Sequence, residues 1–222
     1  MHEQSSLLAP EPSTTKRLNA HRNRYRSAMT AIRVATIADL ERVSQLLARA
    51  FADDPFFDWV LKSGPSRPRR LHMWSEAAAR GSVAMGETNV TADYSGAALW
   101  TPPGDHSTDH ALVRWWRLIP RAGVVGALRL GPGFDLLDAA TPTVPHVYFR
   151  ILGVEPSRQG TGIGSRLIEH GLERWAPEHL PTYLFSTKER NVPLYERYGF
   201  KVVERLDLPG GPSVWPMWRD SS

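Results

Sequence analysis

Apolar residues recur along the chain with two periods, and the changes of period sort it into strands and helices. Ile32 and Val34 alternate with Ala31 and Arg33, which predicts a short strand just after Met29. Thr36-Ile-Ala-Asp39 resembles a capping box, with Asp39 in place of the usual glutamate. Leu40, Val43, Leu46, Leu47, Ala50 and Phe51 then follow at helical spacing. Asp54-Pro55 is a second helix start, with proline at the first helical position. A third helix is predicted over Arg69 to Val83.

Thr88–Thr91 and Ala97–Trp100 read as a hairpin about the turn Asp93-Tyr-Ser-Gly96. Residues 106 to 142 predict helical pieces around Trp115-Trp116 and over Val124–Leu130, broken by Pro120 and by Gly131-Pro132-Gly133. The strongest strand runs from Val147 to Val154. A helix from about Gly162 to Trp175 follows, then a strand over Thr182–Ser186 and a short helix over Pro193–Tyr198. Strands over Phe200–Leu206 and Ser213–Trp218 close the chain. This order predicts a single α/β domain: a mixed, strongly twisted sheet of six to seven strands with helices on both faces.

Residues 1–29 show no such pattern and read as a disordered basic tail ahead of a domain over 30–220. The tail holds Lys16, Arg17, Arg22, Arg24 and Arg26 against Glu3 and Glu11, so most of the net charge of +4 lies outside the domain. A nearly neutral domain argues against a nucleic-acid partner. The absence of cysteine removes disulfides, thiol nucleophiles and cysteine–zinc sites. No apolar run reaches the roughly 20 residues of a membrane span, and Leu7-Leu-Ala9 before Pro10 is no signal-peptide core. A cytoplasmic protein without a membrane partner is expected.

Gln159-Gly-Thr-Gly-Ile-Gly164 lies between the best strand and a good helix. Glycine amides can approach an anion closely, and a helix N-terminus adds unpaired N–H groups and its positive dipole end. The loop therefore reads as a pyrophosphate cradle. A Walker loop would need a lysine here. A dinucleotide fingerprint would need glycine at 165 or 167, where the chain has Ser165 and Leu167. A glycine connector without a ligand is the remaining alternative. His106 and His110 have zinc-compatible spacing, but Ser107 stands where a metallohydrolase carries glutamate. A solvated helix start is the better reading, and no metal is expected.

Gln159-x-x-Gly162-x-Gly164 resembles the coenzyme A signature of the GNAT superfamily of N-acetyltransferases, and Asn191-Val-Pro-Leu-Tyr-Glu-Arg-Tyr-Gly-Phe200 resembles its downstream motif. Phe51-Ala-Asp-Asp-Pro55 and Ala98-Leu-Trp-Thr-Pro102 look like the puromycin N-acetyltransferase-like branch. The resemblance implies acetyl-CoA as cosubstrate. It implies contacts from Leu152, Gly153 and Val154 on a strand that splays after a bulge, for which Gly153 suits. It also implies contacts from Gln159, Gly160, Thr161, Gly162, Ile163, Gly164 and Ser165 in the loop, and from Asn191 to the pantetheine arm. Asn191 reads equally as a helix cap. Tyr195 matches the superfamily's general acid, and its alternative is a core aromatic.

The branch carries a base glutamate where this chain has Phe185, which cannot take a proton. Glu155, His146, Tyr148 through water, and Glu87 are the remaining candidates. Trp115-Trp116 reads as an acceptor wall or as core packing. The expected activity is acetyl transfer to a primary amine of a small molecule, by a monomer or homodimer. Acetylation of a protein N-terminus or lysine, and an idle acyl-CoA sensor, are the alternatives.

Overall fold

The computed structural model describes residues 31–61, 64–104 and 123–221, with side chains from 130 onward in the last stretch. The tail, His106, His110 and Trp115-Trp116 lie outside the described residues. Eight strands form one sheet: β1 (Ile32–Val34), β2 (Thr88–Thr91), β3 (Gly96–Thr101), β4 (Val147–Val154), β5 (Thr182–Ser186), β6 (Lys201–Val202), β7 (Leu206–Asp207) and β8 (Ser213–Arg219). Their spatial order is β1-β2-β3-β4-β5-β8-β6, with β7 also on β8. Only the β4–β5 pairing is parallel.

The helices are α1 (Leu40–Ala50), α2 (Pro55–Val60), α3 (Arg67–Ala84), α4 (Gly123–Ala140), α5 (Ile163–Trp175) and α6 (Val192–Glu196). Strand alternation divides the core between the two faces. On one face Leu46 and Leu47 of α1, with Leu71 and Trp74 of α3, pack over Val90, Ala97, Leu99 and Ile151. On the other, Ile163, Leu167 and Ile168 of α5 cover Ala98, Trp100, Val147 and Phe149. Trp100 stacks on Phe149 at 4.1 Å, and a Cβ at Gly171 would lie 2.0 Å from that indole, so α5 rides directly on it.

Two sequence expectations are corrected. Helix α4 runs through Gly131-Pro132-Gly133 rather than breaking there. Leu130, Phe134 and Leu137 sit at i, i+4 and i+7 and are all buried, so core packing outweighs the hydrogen bond that Pro132 cannot make. Gly133 packs against Trp59, where a Cβ would come within 2.5 Å. The expected strand over Phe200–Leu206 is split into β6 and β7. Val203 donates to the Pro216 carbonyl at 2.9 Å, but proline has no N–H to return the bond, and the ladder stops at that pair.

The Thr36–Asp39 box serves the sheet edge as well as the helix. Asp39 accepts from the Thr36 amide at 2.7 Å and from Arg33 of β1 at 2.7 and 2.8 Å. The Arg33 guanidinium holds the Asp39 carboxyl far below the usual carboxylate range, and Tyr94 at the hairpin tip donates to the same group. Tyr94 has a left-handed φ of 55°, so these contacts hold an unusual turn conformation in place.

Candidate active site

The site begins where the sheet comes apart. Strands β4 and β5 share only the pairs Val147↔Thr182 and Tyr148↔Tyr183, after which β4 continues to Val154 paired with β3 alone. On the other side of β4 the register with β3 slips between Leu99↔Ile151 and Trp100↔Phe149, leaving Arg150 as an extra residue. This bulge reverses the alternation: Val147 and Phe149 face α5, whereas Ile151 faces α1. The expected bulge is therefore real but lies at Arg150, not Gly153. Gly153 pairs regularly with Ala97, and a Cβ on it would come within 2.6 Å of Leu47, so the glycine admits α1.

A cavity of about 500 Å³ opens between the parted strands. Of the expected cofactor-binding residues, Leu152, Val154, Gln159, Gly160, Gly162, Ile163, Gly164, Ser165 and Asn191 line it, whereas Gly153 and Thr161 do not. Gly160 and Gly162 have φ of 73° and 83°, the left-handed region that glycine enters without strain, and Gly162 is the residue from which α5 starts. A Cβ on either would meet nothing within 4 Å, so open space adjoins this backbone. Thr161 Oγ1 donates to the Arg158 carbonyl at 2.6 Å and ties the loop. Gln159 Nε2 donates to the Val154 carbonyl at 3.3 Å, joining loop to strand. Asn191 precedes α6, yet its side chain makes no capping hydrogen bond and lines the cavity. An unpaired strand edge, a glycine loop at a helix start and an uncommitted amide together fit an elongated cosubstrate with a pyrophosphate.

Tyr195 also lines the cavity, with its ring edge-on to Phe149 and to Phe200 at 6.2 Å each. Burial pushes its hydroxyl well above the ordinary phenol range, and the nearby Asp54 charge pushes it further. The phenol thus stays protonated at neutral pH. None of the four base candidates lines the cavity. Glu87 is held by Arg174 of α5 through bonds of 2.5 and 2.9 Å. His146 places Nδ1 2.8 Å from the Val144 carbonyl and packs against Tyr183 and Trp218. Glu155 pairs with Arg49 at 2.9 Å, and Tyr148 sits behind Phe185 with ring centroids 6.1 Å apart.

Asp54 was missed as a site residue. It caps α2, accepting from the Phe56 amide at 3.0 Å, and its second oxygen accepts from Thr187 Oγ1 at 2.7 Å. It is 1 % exposed and is the only carboxylate among the described lining residues. Its Asp-Pro context reads as a helix start, which it is, and nothing local announces a partner 133 positions away. Phe51, Phe56, Phe57 and Trp74, whose rings pack against one another, line the same cavity.

Residues 114–202 match the family described as an acetyltransferase (GNAT) domain. The chain carries a GNAT acetyltransferase domain. An uncharacterized N-acetyltransferase of Schizosaccharomyces pombe is 27% identical over 182 residues, covering 77% of this chain and 74% of the relative. A solved Corynebacterium glutamicum protein, named histone acetyltransferase HPA2 and related acetyltransferase, is 25% identical. It superposes with a TM-score of 0.64 over 86% of this chain and 96% of its own. The Aedes aegypti arylalkylamine N-acetyltransferase 2 shares the fold at 15% identity, with a TM-score of 0.63 over 86% of this chain and 98% of its own. The protein is thus an acetyltransferase of the GNAT type, and the parted strands with the glycine loop belong to that domain. No helix among the described residues is long and apolar enough to cross a membrane.

Proposed function

We propose that this GNAT enzyme transfers the acetyl group of acetyl-CoA to a primary amine of a small molecule, with an apolar or aromatic body on the amine. The observation that carries this reading is the single cavity that joins the glycine loop to an aromatic end holding Asp54 and Tyr195. An alkylammonium is attracted to a carboxylate and to ring faces alike. Leu152, Val154, residues 159, 160 and 162–165, and Asn191 would hold the cosubstrate. The amine nitrogen attacks the thioester carbonyl, and Tyr195 protonates the departing sulfur. Affinity with the puromycin N-acetyltransferase-like branch rests on Phe51–Pro55 and Ala98–Pro102, which supply Asp54 and part of β3. The Aedes neighbour named for arylalkylamines agrees with the aromatic wall.

Release of CoA over a panel of arylalkylamines, polyamines, puromycin and lysine-containing peptides tests the reading. Small aromatic amines are expected to give the highest kcat/KM. A preference for peptides would move the assignment to protein acetylation, and thermal stabilisation by acetyl-CoA without turnover would make the protein a sensor. Every described residue that lines the cavity lies at Ala50 or beyond. The first strand begins just after Met29, so a chain starting there is expected to keep full turnover and stabilisation, and loss of either would bring the N-terminal segment into the site.

A further inference from the structure

We infer that Asp54 is the general base of this enzyme, held beside the strand end where Phe185 leaves no proton acceptor, and that Thr187 positions it. The inference rests on the acetyl-transfer reading above.

Phe185 of β5 lines the cavity two residues before Thr187. The carboxylate absent from that strand is supplied by the α1–α2 junction and bonded to the same strand end through Thr187 Oγ1 at 2.7 Å. Asp54 and Tyr195 line one cavity, and the carboxylate lies close enough to act on the phenol. One group can accept a proton and the other can give one within the same cavity.

The environment makes Asp54 a stronger base than a free carboxylate. Burial raises the Asp54 carboxyl above its ordinary range. The Thr187 hydroxyl, the Lys188 charge, and the Phe56 and Phe57 amides restrain the rise. Lys188 Nζ lies 3.9 Å from Asp54 but only 2.8 Å from the exposed Asp53, so it is largely engaged there. Arg190 also turns to Asp53, at 3.4 Å, and Tyr195 is the remaining titratable group facing Asp54 from α6.

The protons balance. Two leave the ammonium nitrogen as the N–C bond forms and the C–S bond breaks. Asp54 passes one to solvent, and the other replaces the proton that Tyr195 gives to sulfur.

A helix cap alone would explain the Phe56 bond, and the test separates cap from base. Asp54→Asn and Asp54→Ser both keep an oxygen to cap α2. With acetyl-CoA and 2-phenylethylamine, kcat at pH 7 is expected to fall by roughly 10²–10⁴ in both, with stabilisation by acetyl-CoA unchanged. The sign of the pH dependence is fixed by the role: a base must be ionised, so wild-type kcat falls as pH drops through the Asp54 pKa and is flat above it. In the variants that plateau is lost and the rate climbs with pH toward the amine's own pKa.

Thr187→Val removes a bond that favours the ionised carboxylate. The acidic limb is then expected to move to higher pH with the plateau retained, a shift that a purely structural threonine would not cause. Asp54 variants within threefold of wild type with the limb in place overturn the assignment. If those variants do not fold, an unmoved limb in Thr187→Val overturns it as well. A wild-type protein that releases no CoA with any amine overturns the transfer reading itself, and this assignment with it.

Discussion

Tyr195→Phe is expected to lower kcat by roughly 10²–10⁴ while leaving thermal stabilisation by acetyl-CoA unchanged. The departing thiolate needs a proton, and Tyr195 is the only tyrosine among the described lining residues. Its ring packs between Phe149 and Phe200, contacts that phenylalanine would keep, so the substitution removes the hydroxyl and little else. Burial and the Asp54 carboxylate both raise the phenol pKa, so the acid remains loaded across the working range. Wild-type kcat should therefore show no alkaline loss up to the pH where a free phenol would ionise, about 10. Kcat within about twofold of wild type, with chemistry shown to limit the rate, would return Tyr195 to a packing role.

Gly164→Val is expected to abolish stabilisation by acetyl-CoA in a protein that still folds. A Cβ at 164 would lie 3.6 Å from Leu152, 3.7 Å from Val154 and 3.9 Å from Leu194, all ordinary contacts, so alanine fits. Valine adds two methyl groups beyond that point, in the gap between the start of α5 and the free edge of β4. At a concentration about 100 times Kd, a ligand adds roughly 2.7 kcal/mol, about 5–11 °C in Tm for a domain of this size. That increment should vanish in the valine variant and persist in Gly164→Ala. An undiminished rise in Tm with folded Gly164→Val would remove the glycine loop from the binding site.

Strands and the glycine loop were legible because their causes are local. Alternation marks β1, the turn Asp93–Gly96 marks the β2–β3 hairpin, and Gly160 and Gly162 mark left-handed backbone ahead of a helix. Legibility ended where distant packing chose between local options. Pro132 looks like a break until Leu130, Phe134 and Leu137 are seen buried on one helix face. The bulge falls on Arg150, a residue with no conformational signature, while Gly153 answers to Leu47 on another element. Glu87 looked available as a base because Arg174, its partner, is 87 positions away. Asp54 carried one visible role, the cap, and its second role depends on Thr187 and on a cavity that neither segment forms alone.

The gap between β4 and β5 also bears on what happens after the acetyl group has gone. In the proposed reading its recognition elements would be the free strand edge, the glycine loop and Asn191, which would address the long arm and phosphates of the cosubstrate and not its acyl carbon. Such holding is uniform: spent CoA meets the same contacts as acetyl-CoA, and only the pocket near Asp54 and Tyr195 tells the two apart. Turnover in a cell then follows the ratio of loaded to spent carrier more than the amount of either, and the enzyme idles when that ratio falls.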